Sequence, residues 1–235
     1  MRKLVIGDIH GCYEEFLQVL LKCRFDTEKD TLISLGDLVD RGPDSFKVVD
    51  FIMKLPNKIC IRGNHDKVWE EYLETGVHPW NFMQGSQETL DSYNREKKHN
   101  KELLEQHLEF FQSQLNYYLD ENGNLFVHGG LNRHTRLKCQ TDHMFYWDRD
   151  FFIQALSSGL LINNMFNNEF KIKEPTVKRV FLGHTPTVAF NIPDNDKPIF
   201  AAKGKVINLD TGCCFGNKLS IMDIDTLEYW QSDKK

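Results

Sequence analysis

The sequence predicts an α/β fold with two mixed β-sheets, and three observations carry that reading. The first third alternates short apolar runs with amphipathic helical stretches. Five apolar runs end at a glycine beside an Asp, Asn or His. After residue 176 the helical period gives way to short runs punctuated by Pro, Gly and Asn-Asp. Runs of this length, rich in Val, Ile and Phe and closed by Gly, read as buried strands.

In chain order, Leu4-Val5-Ile6 leads to Gly7-Asp8-Ile9-His10-Gly11, and residues 12–23 then place Phe16, Val19, Leu20 and Cys23 on one helical face. Leu32–Leu35 leads to Gly36-Asp37, and Pro43, a residue favoured at the first helical position, opens a helix through Phe46, Val49 and Met53. Pro56 separates that helix from a strand at 58–62, which meets Gly63-Asn64-His65-Asp66. This β-α-β-α-β order implies parallel strands with right-handed crossovers. Residues 66–119 read as a mostly helical insertion within one domain spanning 1–235, with Leu104, His107, Leu108, Phe111, Leu115 and Tyr118 at helical spacing. Asp120–Asn124 reads as a turn into Leu125-Phe126-Val127, which ends at His128-Gly129-Gly130. Beyond 176, strands are expected at 178–182, 187–190, 199–201, 205–209, 218–222 and 227–230, forming a second sheet mostly from hairpins.

Composition narrows the function. A net charge of −5 argues against a general nucleic-acid binder, which needs a basic face. It leaves an anionic substrate open, because bound cations invert the local field. No apolar run approaches the ~20 residues that cross a bilayer, and the chain opens directly into a strand without a signal pattern. The six cysteines have no C-x-x-C spacing or paired framework, so a reducing cytoplasm is the expected compartment.

In sheets of β-α units, ligands gather past the carboxyl ends of the strands. Asp8, His10, Asp37, Asn64, His128 and His184 are therefore expected to converge from five strand tips. Carboxylate, amide and imidazole together suit two divalent metal ions. One aspartate can bridge two ions by offering its two oxygens to separate centres. Plainer readings stand beside these: Asp8 and Asp37 as helix N-caps, and lone histidines as satisfied buried groups. Arg62 and Arg149 could be ordinary salt-bridge partners, and Asp210 a turn residue. His78, His99, His107, His134 and His143 lie outside the motifs and receive no chemistry.

The set Gly7–Gly11, Gly36–Gly42, Gly63–Asp66, His128–Gly130 and Gly183–Pro186 resembles the ordered motifs of the phosphoprotein phosphatase family, within the calcineurin-like metallophosphoesterases. Gly183-His184-Thr185-Pro186, Trp147-Asp148-Arg149 and Leu209-Asp210-Thr211-Gly212 place the resemblance in the prokaryotic and phage branch, which holds protein phosphatases and symmetrical diadenosine tetraphosphatases. Asp66 departs from the pattern, where the family more often has Glu.

The resemblance implies a four-layer α/β/β/α sandwich with the active site along one edge. It implies that Asp8, His10 and Asp37 hold one ion, and Asp37, Asn64, His128 and His184 the other. Mn²⁺ is the expected ion in vitro, with Fe or Zn fitting the same donors. A hydroxide bridging the ions would attack phosphorus in line. His65, oriented by Asp40, would protonate the leaving oxygen, while Arg41, Arg62, Asn64 and Arg149 would bind phosphate. The leading functional reading is a protein serine/threonine phosphatase acting on phosphoproteins or small phosphorylated substrates. Its rivals are a dinucleoside polyphosphate hydrolase and, lower, an inactive binding module. No nucleic-acid or membrane partner is expected.

Overall fold

The computed structural model describes residues 1–77, 85–96, 101–160 and 170–234. The first three strands are β1 (Lys3–Ile6), β2 (Thr31–Ser34) and β3 (Lys58–Cys60), separated by α1 (Tyr13–Lys22) and α2 (Ser45–Lys54). There follow α3 (Asn64–Thr75), α4 (Ser86–Glu96), α5 (Lys101–Gln112), β4 (Tyr117–Leu119) and β5 (Asn124–Val127). Next come α6 (Asp142–Trp147), α7 (Asp150–Leu160), β6 (Arg179–Leu182), β7 (Ile199–Ala201), β8 (Val206–Asn208), β9 (Ser220–Asp223) and β10 (Tyr229–Gln231).

Two five-stranded sheets result, ordered β10-β9-β1-β2-β3 and β4-β5-β6-β8-β7. Strands β1-β2-β3 are parallel, as the β-α-β-α-β order requires, and β5-β6-β8 are parallel as well. Alternation along β1 explains the layers. Val5 enters an inter-sheet core with Ile33, Leu35, Phe126, Phe181 and Ile207, while Leu4 and Ile6 join Phe16, Val19, Val49 and Ile52 beneath α1 and α2. Phe126 and Phe181 stack with ring centroids 5.0 Å apart. On the far side, Phe151, Phe152 and Ala155 of α7 cover Leu125, Val127, Val180 and Leu182. The four-layer α/β/β/α expectation therefore holds.

The described parts of residues 66–119 hold α3, α4 and α5, and these helices join the first outer layer. Leu90, Tyr93, Phe110 and Phe111 share a buried cluster with Phe46 and Trp69. Among the described residues no helix is long and apolar enough to cross a membrane. The expected Thr75–Asn100 stretch is described only in part, and His78, Trp80, Phe82, His99 and most of the basic run at 95–101 fall outside the described residues.

Three local expectations are corrected. The helical stripe from 101 to 119 stops at Gln112, because Leu115 N donates to Cys60 O at 2.9 Å and Leu115 O accepts from Arg62 N at 2.8 Å. The chain is drawn alongside β3, and Tyr117–Leu119 then pairs antiparallel with β5. Residues 187–190 form a 3-10 turn instead of a strand, held where Thr187 N donates to Asp210 O and Asn195 Nδ2 donates to Phe190 O. Finally, β9 and β10 form a hairpin that extends the first sheet beside β1.

Candidate metal centre

Five of the parallel strands hand their next residues to one rim. Asp8 and His10 follow β1, Asp37 follows β2, Asn64 opens α3 just after β3, His128 follows β5 and His184 follows β6. The backbone turns sharply to aim these side chains. His10, Asp37, Asp40, Arg41 and His184 all have positive φ, between 47° and 73°. Non-glycine residues occupy that region at a cost, and such strain gathers at functional sites. The turns interlock: Ile9 N and His10 N both donate to Asp37 O, and Gly42 N donates to His10 O.

Asp37 is the hub. Its Oδ2 lies 3.5 Å from His10 Nε2 and 3.3 Å from His128 Nε2, while Oδ1 accepts from His65 N at 3.0 Å. A single oxygen therefore faces both halves of the site. The second oxygen is held by a backbone amide. Asp8 accepts from His184 N at 3.0 and 3.2 Å, and Asn64 Oδ1 lies 3.0 Å from His128 Nε2.

The imidazoles are set up to ligate. His10 Nδ1 donates to Val39 O at 2.7 Å and His128 Nδ1 to Leu35 O at 2.8 Å. A carbonyl only accepts, so each Nδ1 carries a proton and each Nε2 turns inward; an outer partner fixes the tautomer in this way in many metal sites. His184 Nε2 is buried without a hydrogen-bond partner. Ligand atoms of His10, Asp37 and His65 gather in one group within 4.8 Å, and those of Asp37, His128 and His184 in another.

Electrostatics point the same way. Burial, then repulsion from Asp210, holds the Asp8 carboxyl well above its usual range. Burial and the Asp37 charge likewise lift Asp66 to about 6. Burial lowers His10 well below its ordinary value, and burial followed by the neighbouring His128 takes His184 to about 2. Burial alone would lower His128 as well, but Asp37 and Asp8 outweigh it and raise it to about 9. Buried carboxylates crowded against imidazoles, with His10 and His184 held neutral and His128 charged by the carboxylates beside it, form a pattern that divalent cations relieve. The residues present thus fit two such ions.

The other predicted residues divide. His65 Nδ1 donates to Asp40 Oδ2 at 2.6 Å. Asp40 is fixed in turn, accepting from Ser86 Oγ at 3.1 Å and Thr89 Oγ1 at 2.8 Å. Arg41 donates from Nη1 to His10 Nε2 at 2.6 Å and from Nη2 to His65 Nε2 at 3.0 Å. One lone pair serves one partner, so a cation held by His10 Nε2 would require the guanidinium to give up that nitrogen. Arg149 Nη1 donates to His184 O at 2.8 Å and to Thr185 Oγ1 at 3.2 Å, which brings it to the rim.

Arg62 is employed elsewhere. Its Nη2 donates to Phe111 O at 2.8 Å and Gln112 O at 3.1 Å and pairs with Glu70 Oε2 at 3.1 Å, closing the end of α5. Its expected grip on phosphate finds no support in that geometry. Asp210 sits in a turn, where its Oδ1 accepts from Gly212 N at 3.1 Å, and its charge also reaches Asp8.

Sequence reasoning missed Ser86 and Thr89, which hold Asp40 from within the insertion. It also missed Phe215, whose ring carries the Arg41 guanidinium 5.2 Å from its centroid. Only Ser and Thr one turn apart at the start of α4 could have hinted at the first pair.

Residues 1–222 match the family model described as calcineurin-like phosphoesterase. The chain is 28% identical over 230 residues to an asymmetrical bis(5'-nucleosyl)-tetraphosphatase of Bacillus velezensis, covering 92% of this chain and 86% of that protein. It is 27% identical over 279 residues to a symmetrical bis(5'-nucleosyl)-tetraphosphatase of Klebsiella pneumoniae, covering 98% and 94%. A protein serine/threonine phosphatase structure from Saccharomyces cerevisiae superposes with a TM-score of 0.61 at 17% identity, covering 100% of this chain and 80% of that one.

Proposed function

We propose that this chain, which belongs to the calcineurin-like phosphoesterase family, hydrolyses the polyphosphate bridge of a dinucleoside tetraphosphate in a metal-dependent reaction. The observation that carries the reading is one of coverage: relatives aligned along at least nine-tenths of this chain bear that activity in their names. The rim offers a physical reason. Phe215 is 54% exposed beside Arg41, and Trp147 stands edge-on to His184 with centroids 6.3 Å apart. Aromatic faces on both flanks suit nucleobases, which gain about 1–3 kcal/mol per stacked base. A phosphoserine itself brings no ring to stack.

Asp8, His10 and Asp37 would hold one divalent ion, and Asp37, Asn64, His128 and His184 the other. When bound, such a pair supplies activation of the attacking water and neutralises charge on the phosphoryl oxygens. The chain's own residues do the rest. Arg41, turned off His10, and Arg149 at the opposite rim hold phosphate oxygens with their planar forks. His65, held through Nδ1 by Asp40, would pass a proton from Nε2 to the leaving oxygen once Arg41 Nη2, which donates to that nitrogen here, has turned to phosphate. A nucleotide phosphate with a second pKa of ~6 leaves readily by itself, whereas a serine alkoxide needs that proton.

The protein phosphatase reading that leads from the sequence rests on the same donors and the same two arginines, so substrate preference tests between them. With Mn²⁺ supplied, kcat/KM for diadenosine tetraphosphate should exceed that for a phosphoserine peptide by about tenfold or more, the discrimination one stacked base supplies. Preference for the peptide would overturn the proposal. Absence of turnover with either substrate would leave a binding module. Chromatography of the products, two ADP or ATP plus AMP, then assigns the position of cleavage.

A further inference from the structure

Behind the His10 turn lies a second group of ligand atoms with different chemistry. The sulfurs of Cys12 and Cys213 and a carboxylate oxygen of Glu15 all lie within 4.8 Å of one another, and all three residues are buried. Cys12 stands at the N-terminal boundary of α1 and Glu15 three residues on, so one helix face presents both. Cys213 opens the 3-10 turn Cys213–Phe215, set between Gly212 and Gly216 at φ 78° and 77°. Two segments remote in sequence thus close on one point.

We propose that Cys12, Glu15 and Cys213 form a separate metal site for a soft or borderline divalent cation of the zinc class. Zinc takes thiolate at ~2.3 Å and carboxylate at ~2.0–2.2 Å, which in tetrahedral geometry places ligands ~3.3–3.8 Å apart, so closure asks for shifts of about 1 Å. The fourth position falls to water, since Cys214 stands outside the group with its Sγ 3.7 Å from Arg41 Nη1. On binding, the two thiol protons pass to solvent. The catalytic rim offers nitrogen and oxygen donors, whereas thiolates favour zinc over magnesium or manganese. The two sites are therefore chemically distinguishable, and the inference stands whatever substrate the rim hydrolyses.

Occupation would tie the start of α1 to the turn that carries Cys214 and Phe215. Both lie against Arg41. The ion would thereby set the approach of that guanidinium to the rim.

The test uses the full chain, reduced, stripped of metal and titrated with Co²⁺ alone. A thiolate-to-cobalt charge-transfer band is expected, which histidine and aspartate ligands cannot give. With Zn²⁺, the parent should retain one equivalent more than Cys12→Ser, Cys213→Ser or Glu15→Gln. Circular dichroism and thermal unfolding establish that each variant is folded. The parent arm needs no variant: no thiolate band at saturating Co²⁺ overturns the proposal. So does a band that survives in both cysteine variants, or a Cys12–Cys213 disulfide in the unreduced protein with no band after reduction.

Discussion

Gly63 joins β3 to α3 and packs its bare Cα against Asp37. A Cβ built there would sit 2.1 Å from Asp37 Oδ1 and 2.3 Å from Asp37 N, where real contacts do not fall below 3.0 Å. With φ at −87°, Gly63→Ala introduces no backbone strain of its own, so the effect is steric. The carboxylate must retreat by about 1 Å, breaking its bond from His65 N and drawing Oδ2 from between His10 and His128. A displacement of about 1 Å at a reacting centre costs about 100-fold, or ~2.7 kcal/mol of barrier. Overpacking adds roughly 1–3 kcal/mol of instability, which thermal unfolding reads separately. The assay measures kcat/KM at saturating Mn²⁺ and the metal equivalents retained after desalting. A folded variant that keeps both equivalents and turns over within about threefold of the parent would refute the steric argument.

Arg62→Met should remove the bonds to Phe111 O, Gln112 O and Glu70, costing roughly 2–3 kcal/mol in chemical denaturation while leaving kcat/KM per folded molecule unchanged. A tenfold or greater loss of kcat/KM at normal stability would restore a phosphate-binding role instead. His65→Asn should lower turnover of a serine phosphate by about 10²–10⁴-fold and that of a dinucleoside tetraphosphate far less; equal losses would rule out proton donation to the leaving group. Burial lowers His107 from 6.5 to about 4, with Nδ1 2.9 Å from Tyr93 Oη. Between those pH values the unfolded chain carries the extra proton, so stability falls on acidification through that window, by roughly 3 kcal/mol in all, and levels below it. Urea midpoints of the parent and of His107→Gln should converge as pH drops from 6.5 to 4; parallel curves would exclude the linkage.

The strand tips were legible because their signals are local: an apolar run, a glycine and a donor within a few residues. The four layers followed from period-two alternation, as in Leu4, Val5 and Ile6. What stayed hidden depends on partners far along the chain. Whether Arg62 meets phosphate or helix carbonyls is decided by where α5 ends, and that end is set by Leu115 pairing with Cys60 and Arg62. The hairpin β9-β10 could have extended either sheet, since a hairpin's pattern does not name its neighbour. Ser86 and Thr89 look like ordinary helix-start residues until the fold carries α4 over Asp40.

The same nonlocality explains why the centre needs both sheets. Asp8, His10, Asp37 and Asn64 come from the first, His128 and His184 from the second, and His128 Nδ1 donates across the gap to Leu35 O. Five of the rim residues hold positive φ, at roughly 1–2 kcal/mol each, so the turns would relax if their surroundings loosened. What holds them is the inter-sheet core of Val5, Ile33, Leu35, Phe126 and Phe181. Loss of packing there, for example by Phe126→Ala at about 3–5 kcal/mol, should therefore weaken metal retention before the fold melts. Donors anchored to separate sheets lose their shared geometry when the sheets shift, even while each strand survives.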